Sequence, residues 1–136
     1  WFRERAVLFV AAVGVVAALW GIDVYMVKAS PHWGQREIIE AYYKDRKDPD
    51  EALIAYQMNW KGENFYTSNH IPAFVASGQK FKDWIRDEKA KGHTVLYFVT
   101  EHGRVGGLKS EVGGRNWREL TDKTVNNKFL VLRVEL

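Results

Sequence analysis

An uninterrupted apolar run near the N-terminus constrains this chain more than any other feature. From Ala6 to Ile22, a stretch of 17 residues, every side chain is apolar or absent, and the run resumes after Asp23 as far as Val27. A helix of that length rises about 26 Å, and the residues up to Val27 supply the rest of a bilayer core of roughly 30 Å. The remaining chain is too short to bury such a helix on every side, as a soluble protein would. The run therefore predicts a transmembrane anchor over residues 1–29.

The charges beside this segment predict its direction. Arg3 and Arg5 precede the apolar run and only Lys28 follows it closely, so the positive-inside bias places the rest of the chain outside the cytoplasm. A cleaved signal peptide is the alternative, with small residues near 27–29 for a peptidase. The apolar run is longer than a usual signal core, and Trp20 near its end is typical of a membrane interface. We expect the anchor to be retained.

Length and composition limit what the chain can do. Its 136 residues allow one domain, residues 30–136, besides the anchor. With 20 basic and 17 acidic side chains the net charge is only +3, so no nucleic-acid partner is predicted. The absence of cysteine excludes disulfides, thiolate nucleophiles and cysteine-ligated zinc. Trp1 begins the sequence in place of methionine, and we expect a longer polypeptide upstream.

Beyond residue 30, helical and strand patterns alternate. Ser30-Pro31 is a suitable start for a first helix, and glycine at position 92 a suitable end for a second. Apolar residues at helical spacing predict three helices: one with Ile38, Ile39 and Tyr42, one over 78–91 with Phe81, Trp84 and Ile85, and a short one with Val105, Leu108 and Val112.

Short apolar runs predict the strands between these helices. Residues 52–58 and 94–99 are nearly continuous in apolar character, as in strands buried on both faces. Further strands are predicted at 65–67 and 71–75, one or both at a sheet edge, at 117–120, and at 129–136, where alternation suits an edge or a partly wet face. The pattern predicts an α/β fold: a small three-layer domain with a mostly parallel sheet, in which the final strand is a candidate for antiparallel pairing.

The carboxyl ends of the two buried strands define the predicted ligand site. Ligands of open α/β sheets gather there, and the segments concerned are 59–69 and 100–104. Aromatic rings, amides and carboxylates together suit a sugar or phosphosugar, because the rings pack on sugar faces while the polar groups bond hydroxyls. The predicted ligand-binding residues are Trp60, Lys61, Glu63, Asn64, Tyr66, Glu101, His102 and Arg104.

A purely structural reading of the first segment competes with this site. It places Trp60 and Tyr66 in the core, makes Gly62 a turn, and pairs Lys61 with Glu63 in solvent. Neither reading supplies a catalytic residue.

Catalysis and metal binding find little support in the remaining motifs. Glu101-His102 is a candidate acid/base pair, but adjacent residues need not face each other. The four histidines lack the spacing of metal ligands, and no metal site is predicted. Gly103, Gly106 and Gly107 start a helix and are candidates for phosphate binding beside Arg104 and Lys109, although a flexible turn is the preferred interpretation.

Four features of the chain together resemble a known family. They are the apolar helix, Asn59-Trp60-Lys61-Gly62-Glu63-Asn64-Phe65-Tyr66-Thr67, Thr100-Glu101-His102 and the later Asn126-Asn127-Lys128-Phe129. The chain is similar to the C-terminal part of bacterial integral-membrane glycosyltransferases of the GT-C type, in the dolichyl-phosphate-mannose protein mannosyltransferase (family 39) and aminoarabinose transferase group.

The resemblance implies an accessory domain on the periplasmic or outer side of the bacterial inner membrane, attached to an upstream transmembrane part of the same polypeptide. It implies a polyprenyl-phosphate sugar donor and a glycan, lipid or protein acceptor. The catalytic carboxylate and any divalent metal of such an enzyme would lie upstream, so no cofactor is expected in this chain and no transfer activity from the chain alone. The alternative is a single-pass membrane protein whose α/β domain binds a protein or cell-envelope partner. A membrane-tethered hydrolase is disfavoured because no nucleophile or carboxylate pair stands out.

Overall fold

The computed structural model describes residues 2–28, 34–59, 61–76 and 78–136, and the chain forms two compact units, residues 1–31 and 32–136. The first unit holds helix α1, Phe2–Trp20, which continues as a π-helical segment over Gly21–Met26. Within the 24 residues Arg3–Met26, an 18-residue window has a mean hydropathy of 2.3, and none of that window is buried by protein. The helix is long and apolar enough to span a membrane. The predicted boundary between anchor and domain, at residues 29 and 30, and the predicted helix start at Ser30-Pro31 lie outside the described residues.

The second unit is an α/β domain with a mixed five-stranded sheet. Its strands are ordered β2-β1-β3-β5-β4; β1 pairs in parallel with β2 and β3, and β5 pairs antiparallel with β3 and β4. Four strands therefore run one way and β5 the other, which confirms the predicted α/β class. The elements are α2 Arg36–Asp45, β1 Leu53–Tyr56, α3 Lys61–Tyr66, β2 Ala73–Phe74, α4 Gln79–Ala90, β3 Val95–Glu101, a 3₁₀ turn His102–Arg104, α5 Val105–Val112, β4 Arg115–Glu119 and β5 Phe129–Glu135.

Alternate residues of the buried strands form two cores, one on each face of the sheet. On one face Tyr97 and Val131 pack with the apolar side of α2. On the other face Phe98 and Leu132 pack with α4 and α5, through side chains such as Phe81. Helices thus cover both faces, as the predicted three layers require, and the near-continuous apolar character of β1 and β3 follows from burial on both sides.

Two predicted strands differ from the structure. Residues 65–67 do not form a strand, because residues 61–66 form α3. The side chains that α3 and the following turn bury are polar, Glu63 and Thr67, four residues apart, whereas Phe65 points outward, so apolar periodicity could not reveal this helix. For the final strand, the edge alternative is wrong because β5 lies between β3 and β4, whereas its partly exposed Arg133 and Glu135 fit the alternative of a partly wet face. The edge strand predicted within 71–75 is confirmed as β2.

A buried carboxylate joins the end of α4 to the start of β3. Glu88 is buried, and it accepts hydrogen bonds from Lys91 Nζ at 2.7 Å and from His93 Nδ1 at 2.6 Å. Burial opposes its ionisation, but the hydrogen bonds and charges of Lys91 and His93 outweigh burial and lower the pKa of Glu88 below its ordinary value of 4.5. The ionised Glu88 side chain therefore stabilises the fold at pH values above 4.5. This stabilisation is lost as the pH falls through the lowered pKa of Glu88.

We expect Glu88→Ala to lower the free energy of unfolding by about 1–3 kcal/mol at pH 7, because it removes two charge-assisted hydrogen bonds from a buried position. Asp87→Ala is the matched control, since Asp87 is exposed and its ion pair with Arg86 lies at the surface. Chemical denaturation of both variants at pH 7 and pH 3 checks this. An equal effect of the two substitutions, or a difference that does not shrink in acid, would contradict the assignment.

Candidate functional site

The two predicted site segments lie at one edge of the sheet. Strands β1 and β3 are parallel neighbours in the register Leu53↔Tyr97 and Ala55↔Val99. Their carboxyl ends therefore meet at the same edge, where α3 follows β1 and the turn His102–Arg104 follows β3. We call this the carboxyl edge.

The first segment contributes both buried and exposed groups. Lys61 is exposed and Asn64 is half-buried, while Glu63 has no exposed surface and its carbonyl accepts hydrogen bonds from the Thr67 hydroxyl at 2.6 Å and the Thr67 amide at 3.2 Å. The predicted solvated pair of Lys61 and Glu63 is therefore wrong. Helix α3 turns the Glu63 side chain inward.

Aromatic side chains of this segment face solvent. Tyr66 is 37 % exposed, which contradicts the reading that places it in the core. Its ring meets the ring of Phe65 edge-on, with centroids 5.1 Å apart, and Phe65 is 78 % exposed. Two adjacent rings are thus available for packing against a ligand or surface. Trp60 lies outside the described residues.

The second segment is held by hydrogen bonds at its base. Glu101 Oε2 lies 3.5 Å from Arg104 Nη2, and both side chains are partly exposed. His102 Nε2 lies 2.9 Å from the carbonyl oxygen of Asn126, and the His102 amide donates to the Lys128 carbonyl at 3.1 Å. Glu101 and His102 therefore bind different partners, and their geometry does not make them an acid/base pair.

Asn126 connects the second segment to the start of α2. Its side chain is 1 % exposed and donates from Nδ2 to the Gly34 carbonyl at 2.7 Å. Its Oδ1 accepts from the amides of Lys128 and Phe129 at 3.0 and 2.9 Å. In the sequence, Asn126 was notable only as part of the segment 126–129 that carries the family resemblance. An asparagine three residues before a strand is a signal for such side-chain-to-backbone bonding.

Gln35 completes the connection to the first segment. A Cβ atom placed on Gly62 would lie 2.7 Å from Gln35 Oε1, so the amide of Gln35 packs directly against the backbone of α3. Contacts thus run from Gly62 through Gln35 and Gly34 to Asn126 and His102. The glycine at position 62 serves this close approach and is not a turn.

The Gln35 amide is the most unusual group of this edge. The side chain is 2 % exposed, and among the described residues neither its Nε2 nor its Oε1 has a hydrogen-bond partner. An amide buried in that state costs about 1–3 kcal/mol, and most buried polar groups are satisfied. It offers one face with a donor and an acceptor, the combination that binds a hydroxyl group.

The glycines after β3 do not form a phosphate loop. Gly103 lies in the 3₁₀ turn and Gly106 and Gly107 lie in α5, so the predicted flexible turn is wrong. The two neighbouring cationic side chains interact with other groups. Arg104 pairs with Glu101, and Lys109 Nζ lies over the Trp117 ring, 5.9 Å from its centroid.

A pocket of about 260 Å³ lies at the opposite edge of the sheet, lined by Asp48, Asp50, Glu51, Gly92, His93, Thr94 and Val95. Glu51 Oε2 is already engaged there: it accepts from the Lys47 amide at 2.8 Å and lies 3.3 Å from the Tyr97 hydroxyl. Burial and the neighbouring carboxylates of Asp45 and Glu51 raise the pKa of Tyr97, so its hydroxyl stays protonated and donates. Within the described ranges, no three acidic or histidine side chains converge as a metal site.

Comparison of the chain with known protein families, with curated proteins and with solved structures gave no match. The resemblance to membrane glycosyltransferases accordingly remains a prediction.

Proposed function

We propose that this chain is an accessory domain of a bacterial membrane glycosyltransferase and that its carboxyl edge binds the sugar headgroup of a polyprenyl-phosphate donor. The domain is anchored by α1 and faces the periplasm or the cell exterior, a direction supported by Arg3 and Arg5 ahead of the span. The upstream part of the enzyme supplies the chemistry, so the chain alone is expected to bind and not to transfer.

The buried amide of Gln35, which has no hydrogen-bond partner among the described residues, is the observation that carries this proposal. A sugar hydroxyl can accept a hydrogen bond from Gln35 Nε2 and donate one to Gln35 Oε1. These bonds offset the desolvation cost of the amide, which is already present in the domain without ligand. Because the amide is 2 % exposed, binding requires a small outward shift of α3, whose contact with it runs through Gly62. The rings of Phe65 and Tyr66 and the partly exposed pair of Glu101 and Arg104 lie at the same edge for further contacts.

We expect Gln35→Leu to abolish donor binding while leaving stability unchanged or raising it by up to about 1 kcal/mol, because leucine has a similar volume and needs no hydrogen bond. The control is Gln79→Leu, since the exposed Gln79 amide bonds only Asp83 at the surface, 2.9 Å away. Binding is measured with the full chain in lipid nanodiscs, against polyprenyl phosphates carrying mannose, glucose or aminoarabinose and against the sugar-free polyprenyl phosphate.

The proposed function predicts that one sugar-bearing lipid binds more tightly than the sugar-free lipid and that Gln35→Leu removes the difference. Equal affinity for all four lipids would contradict it. If Gln35→Leu lowered the melting temperature and left lipid binding unaltered, the role of this amide would be structural.

A further inference from the structure

The first turn of α2 leaves backbone donors without acceptors. The first hydrogen bond of this helix runs from the Ile39 amide to the Gln35 carbonyl at 3.0 Å, and no side chain caps the helix. Among the described residues, the amides of Arg36, Glu37 and Ile38 accordingly have no hydrogen-bond acceptor. Free amides at the N-terminus of a helix, together with the helix dipole, favour a negatively charged group.

A buried side chain beside these amides also lacks a partner. Gln35 directly precedes α2, and its amide ends against the backbone of Gly62, at the start of α3. The Gln35 side chain is 2 % exposed, and neither of its polar atoms has a hydrogen-bond partner among the described residues. Buried polar groups are usually satisfied, so this amide points to a ligand. Backbone donors and a side-chain donor and acceptor therefore lie together where α2 and α3 begin.

The charged side chains near these groups include one available cation. Lys61 is the first residue of α3, is exposed, and makes no ion pair with any described residue. Arg36 is paired with Glu40 at 2.8 Å. Two carboxylates oppose an anion: Glu37 is exposed to solvent screening, and Glu63 is buried on α3, where it suits a sugar hydroxyl. An anion at this place would therefore be held by the free amides and Lys61.

We propose that the N-terminus of α2 binds the phosphate group of the donor headgroup, with the amides of residues 36–38 donating to phosphate oxygens and Lys61 as the counter-ion. In a polyprenyl-phosphate sugar the phosphate is bonded to the anomeric carbon, so a sugar hydroxyl lies beside it. Backbone donors next to the Gln35 amide match that arrangement. The identity of the ligand rests on the proposed function, and the same chemistry would accept free phosphate or a soluble sugar phosphate.

Amide chemical shifts test this site without any lipid-linked sugar. The full chain in phosphatidylcholine nanodiscs is titrated with inorganic phosphate, with mannose 1-phosphate and with uncharged mannose. We expect the two phosphates, and not mannose, to shift the amide signals of residues 36–38. The start of α4 is the internal control, because no side chain caps it and the preceding residue, Gly78, has no side chain. Saturation at α2 should need about tenfold less phosphate than at α4.

Two pairs of variants assign the effect to this place. Gln35→Asp puts a carboxylate at the N-cap, which supports the helix but excludes a phosphate, so phosphate binding at α2 should weaken at least about tenfold. Gln79→Asp adds the same charge at the start of α4 and should leave binding at α2 unchanged. Lys61→Gln should weaken binding about twofold to fivefold, whereas Lys44→Gln, at the other end of α2, should have no effect.

Polyprenyl phosphate and uncharged polyprenol in the nanodisc identify the source of the phosphate. We expect only polyprenyl phosphate to shift the amides of residues 36–38. The proposal is overturned if these amides respond to inorganic phosphate and not to polyprenyl phosphate, if α2 and α4 saturate alike, or if Gln35→Asp leaves binding unaltered. Phosphate binding at α2 without any sugar preference would contradict only the proposed function. Sugar-dependent lipid binding without shifts at residues 36–38 would contradict only the phosphate site.

Discussion

Replacement of Asn126 by alanine is expected to lower the free energy of unfolding by about 2–4 kcal/mol, one of the largest effects of any polar substitution in the domain. The side chain is 1 % exposed, and its hydrogen bonds to the described residues include those with the Gly34 carbonyl and the amides of Lys128 and Phe129. Alanine leaves these buried groups without a partner, which costs more than the bonds themselves contribute.

Asn127→Ala is the matched control, since the neighbouring asparagine is exposed; its effect should stay within about 0.5 kcal/mol. Asn126→Asp keeps the acceptor for Lys128 and Phe129 but loses the donor to Gly34, so it should also destabilise, and more at pH 7 than at pH 3. Denaturation curves of the three variants decide the point. Similar stability of Asn126→Ala and Asn127→Ala would contradict the network that joins α2 to the end of β3.

Phe98→Ala is expected to lower the free energy of unfolding by about 3–5 kcal/mol, because it leaves a large cavity in the central strand. Phe98 has no exposed surface, and its ring centroid lies 6.1 Å from that of Phe81 on α4 and 6.0 Å from that of Trp117 on β4. The substitution therefore loosens a helix and an outer strand together.

The same substitution at Phe65 serves as its control. Phe65 is 78 % exposed, so Phe65→Ala should change the stability in detergent by less than about 0.5 kcal/mol. Thermal melts of the two variants give the comparison. If Phe65→Ala destabilised the domain as much as Phe98→Ala, Phe65 would be a core residue and its ring would not be available for contacts at the carboxyl edge.

The fold was predictable where burial follows apolar periodicity. Strands β1 and β3 are nearly continuous in apolar character because helices cover both of their faces. Helices α2 and α4 show a single apolar stripe because each packs on one face of the sheet. Helix α3 escaped prediction because its inward side chain is Glu63 and its outward one is Phe65. The internal place of β5 also escaped, because its alternation of apolar residues with Arg133 and Glu135 also fits an edge strand.

The positions of the two candidate segments were predictable, and the surroundings of their side chains only partly. The topological rule located both segments at the carboxyl edge, and the exposed Lys61 and partly exposed Arg104 suit ligand contact. The rule could not find Gln35 or Asn126, because their roles depend on contacts between positions far apart in sequence, such as the bond from Asn126 to Gly34. Whether Glu63 faces solvent or the interior was likewise decided by packing of α3.

The position of a bound donor tests the central claim most directly. Amide chemical-shift mapping of the full chain in nanodiscs, with and without the polyprenyl-phosphate sugar that binds best, compares the two edges of the sheet in one experiment. We predict that the largest sugar-dependent changes fall at the carboxyl edge, on Gln35, α3 and residues 101–104. Changes centred instead on the acidic pocket lined by Asp48, Glu51 and His93, or no sugar-dependent change at all, would contradict the account.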